Sequence, residues 1–344
     1  MGVRQRDFVR ILRCASEAGI SDVHMTANEP VCWRRGDVLS HLKEYVPSES
    51  DMYGLFKLIV KEDAWEKMCS DNAVNCAWAM DSWRYRVHVY KKRGQISFAI
   101  RTLPRQIPAL EQLGQAEIAG RFGDRRQGLF LVTGATGAGK STTVAALLES
   151  MNRSGNLHIL TLEDTIEFLF TKGYGLVSQL EKGDDFGDYF QAVENAMREG
   201  PDVIMVSELR DYRTVHAVLN AAVSGHYVIA TMHAGSVTET VERLISMYPE
   251  EQQSMGRSLL AASLQGICTQ QLLTGRGGIK HCAVECLNAN HAARNIIRSG
   301  KYEQLHNIIQ SGMAEGMQSM EMGVDKLRKA NLVRREFGKV LSAG

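Results

Sequence analysis

The sequence predicts an α/β protein in two parts, a small mixed α+β domain followed by a parallel sheet covered by helices on both faces. Strand signals crowd the first hundred residues around one helical pattern, and two of the chain's six prolines then punctuate a short stretch. From residue 128 short apolar runs alternate with amphipathic helices, as buried parallel strands do. With 344 residues and a prior of roughly one domain per ~150, two domains with their own cores are expected.

"VCWRRGDVLSHL", "NCAWAM", "WRYRVHVY" and "QISFAIRTL" read as strands, with a helical pattern across "MYGLFKLIVKEDAWEKM" between the first two. They define a domain over residues 1–102. "RTLPRQIPALEQLG", with Pro104 and Pro108, reads as a linker at 103–113. The strand and helix alternation fills 114–283, and 284–344 is expected to be mostly helical. If residues 91–94 form the loop of the hairpin "WRYRVHVYKKRGQISFAIRTL", then Tyr85, Val87, Val89, Ile96, Phe98 and Ile100 share one face. Arg84, Arg86 and Arg101 share the other, with Arg84 opposite Arg101. Like charges facing each other across strands destabilise a sheet, so an anion that these arginines meet is inferred.

The composition is that of a soluble globular protein, 44% hydrophobic and 23% charged. Lys plus Arg is 40 against 39 for Asp plus Glu, so no global field draws nucleic acid or anionic lipid. That balance argues against a nucleic-acid translocase. No apolar run approaches the ~18 residues of a membrane span, and "MGVRQRDFVRILRCASEAG" has charges throughout, so a cytoplasmic protein is expected. Seven cysteines without framework spacing fit reduced thiols. In "KHCAVEC", His281, Cys282 and Cys286 invite a zinc reading. On a strand, however, residues four apart are ~13 Å from each other, so buried thiols and no zinc are expected.

The strongest signal is "GLFLVTGATGAGKSTTVAALLESM": an apolar strand, then G-x-x-x-x-G-K-S, then a helix with Val144, Leu147, Leu148 and Met151 on one face. Glycines let the backbone wrap a phosphate, and the helix amino end adds its dipole. Lys140 reaches the terminal phosphates, and the Ser141 hydroxyl is a magnesium ligand. ATP and Mg2+ are therefore the expected cofactors. Three later runs also end on polar residues: "HILTLEDTIEF" on Glu163 and Asp164, "DVIMVSELRD" on Ser207 and Glu208, and "HYVIATMHAG" on Thr231 and His233. Ligands sit outside the carboxyl ends of open parallel sheets, so four such strands point at one site.

Phosphoryl transfer to water needs positive charge on the phosphates, a metal ion, and a group that orients or deprotonates the water. Glu208 is the favoured general base. Glu163 is a second carboxylate, for the magnesium shell or for polarising the water, and both acids are candidate metal ligands with Ser141. His233 is placed to contact the γ-phosphate or Glu208. His226, in "GHYV", is either catalytic or a hydrogen-bonded structural histidine. Arg210 and Asp211 have salt bridging at the strand end as their plain reading.

The chain resembles the secretion-superfamily ATPases of type IV pilus, type II and type IV secretion machines, most closely the PilT-type retraction motors. "GATGAGKST" (Gly134, Ala135, Thr136, Gly137, Ala138, Gly139, Lys140, Ser141, Thr142) matches the family's Walker A. "TLEDTIEF" matches its aspartate box, "PDVIMVSELRD" its Walker B and "GHYVIATMHAGSVTETVERLISMYP" its histidine box. "SLQGICTQQLL", "AARNII" and "GMQSMEM" resemble the PilT-type tail, and "GISDVHMTANEPVCWRRGDVL" the start of the amino-terminal domain.

The resemblance implies a RecA-like P-loop ATPase core with an N-terminal PAS-like α+β domain and a helical C-terminal tail. It implies a homo-hexameric ring with an inner-membrane platform protein as partner, and pilus retraction as the work. In such rings amino-domain arginines reach a neighbour's phosphates, a role carried over to Arg84, Arg86, Arg93 and Arg101. Pilus assembly and protein secretion are the alternatives. The chain lacks the paired-cysteine zinc module and longer amino-terminal region of many extension motors, which favours retraction. Two positions depart from the family: Thr165 stands where proline is usual, and Ser207 where glycine precedes the Walker B glutamate. In the tail, Met317, Met320, Val324 and Leu327 read as core or subunit packing. Arg294 and Asn295 read as a partner-facing surface or as a plain helix. ATP turnover should be unchanged by added single- or double-stranded DNA; stimulation by DNA would favour the translocase reading.

Overall fold

The computed structural model describes residues 3–333, except 37, 63–64, 81–82, 104–105, 171 and 276–277. Pro104 thus lies outside the described residues. The chain divides into two compact units, Met1–Gln106 with Thr165–Leu169, and Ile107–Asp164 with Phe170–Gly344.

The first unit runs α1 (Val3–Glu17), β1 (Asp22–Thr26), β2 (Val31–Arg35), β3 (Val38–Leu42), α2 (Glu49–Ile59), α3 (Trp65–Ser70), β4 (Ala73–Met80), β5 (Trp83–Lys92) and β6 (Gln95–Leu103). Its antiparallel sheet has the order β3-β2-β1-β6-β5-β4. Ser48 and Asp51 form a reciprocal capping box that starts α2. Phe8, Ile11 and Leu12 of α1 and Met52, Leu55 and Phe56 of α2 share a core with Val23, Tyr85, Val87, Val89, Phe98 and Ile100.

The β5–β6 hairpin corrects the expected register. Lys92 pairs with Gln95, so the turn is only Arg93 and Gly94, both left-handed at φ 52 and 81. This is the backbone of a tight two-residue hairpin turn, whose twist matches that of the strands. The slip is by two residues, so the faces are kept, but Arg86 now faces Arg101 and Arg84 faces Leu103. The like-charge argument also changes, because Asp22 on β1 flanks Arg101 and accepts from its Nε at 2.9 Å. A neighbouring strand therefore supplies an anion within the sheet.

The second unit contains α4 (Ala116–Phe122), β7 (Gly128–Gly134), α5 (Lys140–Ser154), β8 (His158–Glu163), β9 (Leu176–Glu181), α6 (Tyr189–Ala196), β10 (Val203–Val206), α7 (Tyr212–Val223) and β11 (Tyr227–Met232). There follow α8 (Val237–Ser246), α9 (Gln253–Ser263), β12 (Leu264–Thr274), β13 (Lys280–Asn288), α10 (His291–Ser299), α11 (Leu305–Ser311) and α12 (Met320–Lys329). The sheet order is β13-β12-β7-β11-β10-β8-β9, parallel except for the β12–β13 pair.

Alternate strand residues serve opposite faces. Phe130, Val132, Ile159, Val203 and Ile229 pack against Val144, Leu147, Leu148 and Met151 of α5 and Phe122 of α4. Leu129, Leu131, Leu160, Ile204 and Val228 pack on the other side with Val193, Val215, Val218, Val241 and Leu260 from α6 to α9.

The boundary expected at residue 284 falls inside β13, which pairs with β12 through Asn288. The helical stretch therefore begins only at α10. His281, Cys282 and Cys286 lie along β13, with Cys286 facing Cys268 of β12 at 3.0 Å between sulfurs. Met317 and Val324 are buried, in keeping with core positions. Arg294 is half-buried and donates to the Ala261, Ala262 and Ala289 carbonyls, tying α10 to the carboxyl end of α9. Asn295 is exposed.

Asp211 is the N-cap of α7, accepting from the Thr214 amide at 3.0 Å and the Thr214 hydroxyl at 2.7 Å. Capping replaces the expected salt bridge. Asp211→Ala should cost about 1 kcal/mol, measured by chemical denaturation of the second unit's transition. An unchanged midpoint would mean that the cap is dispensable.

Candidate active site

Because β7, β11, β10 and β8 are adjacent and parallel, their carboxyl ends share one edge. At that edge stand the loop after Gly134, His233 after β11, Ser207 and Glu208 after β10, and Glu163 at the tip of β8.

Gly134 has φ 147, and a Cβ there would meet the Gln270 carbonyl oxygen at 2.5 Å. Gly139, at φ 87, is the N-cap of α5 and offers no side-chain cap. The first-turn amides of α5 are thus left to bind an anion, as a phosphate cradle requires. Thr136 and Gly137 of the loop are exposed, as is Ser141, whereas Ala138 is buried. Beneath them Thr143 donates to Gln115 at 2.8 Å and accepts from Gln270 at 2.7 Å, bracing α5 with buried hydrogen bonds.

Lys140 Nζ donates to the Gly134 and Ala135 carbonyls at 2.9 and 3.0 Å and lies 3.2 Å from His233 Nδ1. Burial pushes its pKa down, and the nearby Glu208 carboxylate opposes that shift. An ammonium only donates, so Nδ1 accepts and the ring proton sits on Nε2. Nε2 lies 3.3 Å from Glu208 Oε1. The other oxygen, Oε2, accepts from Arg210 Nη2 at 2.6 Å, and the same nitrogen reaches Asp164 Oδ2 at 2.8 Å. Asp164 Oδ1 accepts from the Tyr189 hydroxyl at 3.0 Å. Tyr189 in turn lies 2.6 Å from Ser207 Oγ, which accepts from the Asp164 amide at 3.3 Å. Burial, the leading cause, raises the Tyr189 pKa, so its hydroxyl keeps its proton.

Lys140, His233 and Glu208 are therefore joined. Glu163 Oε1 instead accepts from Thr161 Oγ1 at 2.7 Å and Gln179 Nε2 at 3.1 Å, turned along β8 and β9. His226 lies at the amino end of β11, at the opposite edge of the sheet, with Nδ1 3.3 Å from the Ala221 carbonyl oxygen. That position fits the structural reading and removes it from this cluster. Arg84, Arg86, Arg93 and Arg101 belong to the first unit, on β5, its turn and β6. The salt bridging expected of Arg210 is present, to Glu208 and Asp164, whereas Asp164 had no expected role beyond its place at the strand end and Tyr189 had none. Arg210 and Asp164 were visible beside the two acids, but these partners are 46 residues apart.

The cradle fits a nucleoside triphosphate: open amides, a half-buried lysine and a carboxylate meet at one edge. The exposed Ser141 hydroxyl, and Glu208 at the same sheet edge, are oxygen donors of the kind that would hold a magnesium ion. Fold and site together define a P-loop nucleoside triphosphatase. The profile of the type II/IV secretion system protein family matches residues 3–336, and the chain belongs to that family.

It is 35% identical over 335 residues to the type IV pilus retraction ATPase PilT of Pseudomonas aeruginosa, covering 96% of each chain. It also matches the crystal structure of the pilus retraction motor PilT with bound ADP, at TM-score 0.87 and 34% identity, covering 98% of this chain and 95% of that one. The ATPase DotB of Legionella pneumophila shares the fold at TM-score 0.81 and 24% identity, over 95% and 93% of the two chains.

Glu208→Gln should retain ATP binding and lose turnover, whereas Lys140→Ala should weaken both, measured by nucleotide titration and phosphate release. Turnover by Glu208→Gln at the parent rate would remove Glu208 from the role of base.

Proposed function

We propose that this chain is a motor ATPase that works as a homo-hexameric ring and powers retraction of a type IV pilus. The observation that carries this reading is the Lys140, His233 and Glu208 chain at the P-loop, in a protein similar from end to end to a retraction ATPase. For turnover, Lys140 exchanges the Gly134 and Ala135 carbonyls for phosphate oxygens. Magnesium, when bound, neutralises phosphate charge, with Ser141 as its ligand and Glu163 and Glu208 as candidate carboxylates. Glu208 then takes a proton from the attacking water or orients it, while His233 links the base to the phosphate-binding lysine.

Arg84, Arg86, Arg93 and Arg101 of the amino-terminal unit, read as PAS-like, are proposed to reach a neighbouring subunit's phosphates. Charge supplied in trans would make hydrolysis depend on assembly and couple it to domain movement. No described helix is long and apolar enough to cross a membrane. Attachment to the inner membrane is therefore assigned to a platform protein of the pilus machine, with the ring on the cytoplasmic side. Deleting the gene in its host should leave pili accumulated and surface motility lost. Loss of pili instead would assign the chain to pilus assembly.

A further inference from the structure

We propose that Arg210 is a positioning residue for Glu208, held in place by Asp164, whose own orientation is set by the Tyr189 and Ser207 hydroxyls. This rests on the reading of Glu208 as the base. The hydrogen accounting leaves one arrangement. Each Nη2 hydrogen of Arg210 goes to one carboxylate, Glu208 Oε2 or Asp164 Oδ2. A carboxylate accepts only, so the single Tyr189 proton goes to Asp164 Oδ1. The Ser207 proton then goes to the Tyr189 oxygen, and Ser207 Oγ is free to accept from the Asp164 amide. Ser207 thus has a use for the hydroxyl that sets this chain apart from the family pattern: it closes a ring around Asp164.

Glu208 and Asp164 follow neighbouring strands, so without Arg210 two like charges would face each other across the edge and swing apart. Relative exposure decides what Arg210 contributes. Its side chain is 57% exposed, against 17% for Glu208 and 25% for Asp164. Ion pairs this open to solvent add little to folding stability. The interaction should therefore be read in placement of Glu208: a small displacement of a reacting group is enough to cost a large factor in rate.

The test uses the full, assembled protein with magnesium ATP. Arg210→Ala should lower kcat by about tenfold or more while the KM for ATP changes by less than about threefold. Arg210→Lys should restore part of kcat, because an ammonium supplies the charge without the fixed fork. Asp164→Asn combined with Arg210→Ala should be no slower than Arg210→Ala alone, as expected for residues acting as one unit. Tyr189→Phe, which deletes one hydroxyl, should lower kcat less and leave nucleotide affinity unchanged. The proposal is overturned if Arg210→Ala keeps the parent kcat, if its loss lies in KM, or if the Arg210 and Asp164 losses multiply. Should Arg210→Ala fail to assemble, Arg210→Lys and Tyr189→Phe decide, and parent kcat in both overturns it. Glu208→Gln run alongside separates the two failures: if it turns over normally, the base assignment falls first.

Discussion

Parallel pairing of β7, β11, β10 and β8 is the constraint on which the rest of the site depends. Each strand is buried on both faces, so the charged residues stand where the strand stops, and parallel pairing brings those stops to one edge. The phosphate loop, His233, Glu208 and Asp164 are then neighbours without any of them being neighbours in sequence. Helices on both faces hold the strands in register. A one-residue slip would turn Phe130 and Ile229 toward the wrong layer, so packing fixes the site as firmly as it fixes the core.

Polar groups at that edge satisfy each other in a fixed order. Lys140 has only donors and the carboxylates only acceptors, so His233 can bridge lysine to Glu208 in one tautomer. Glu208 is held from its other side by Arg210, and Arg210 by Asp164. The consequence is a proposed base whose two oxygens answer to different partners, one to His233 beside the phosphate loop and the other to Arg210. In the proposed mechanism ATP would act on the first, because the lysine that touches His233 is the proposed phosphate ligand.

The fold class was legible because buried parallel strands need apolar runs and covering helices need amphipathic periodicity, both plain in the sequence. The phosphate loop was legible for a similar reason: its glycines are demanded by backbone geometry at Gly134 and Gly139. The hairpin register was misread because a two-residue turn can be built on Arg93 as well as on glycine or asparagine, and composition alone suggested a longer loop. Asp22 as partner of Arg101 was hidden by a separation of 79 residues. The boundary expected at 284 falls inside β13 because pairing with β12 carries that strand on to Asn288. Tyr189 left no signal at all, since a buried tyrosine opening a helix reads as core until its hydroxyl is seen against Ser207 and Asp164.

The most direct measurement of the central claim is a structure of the protein with magnesium and a non-hydrolysable ATP analogue. Lys140 Nζ should leave the Gly134 and Ala135 carbonyls for phosphate oxygens. The Glu208 carboxylate should face the γ-phosphate with Arg210 still bridging it to Asp164. A bound analogue with Glu208 directed away from the γ-phosphate, and another side chain in its place, would contradict it.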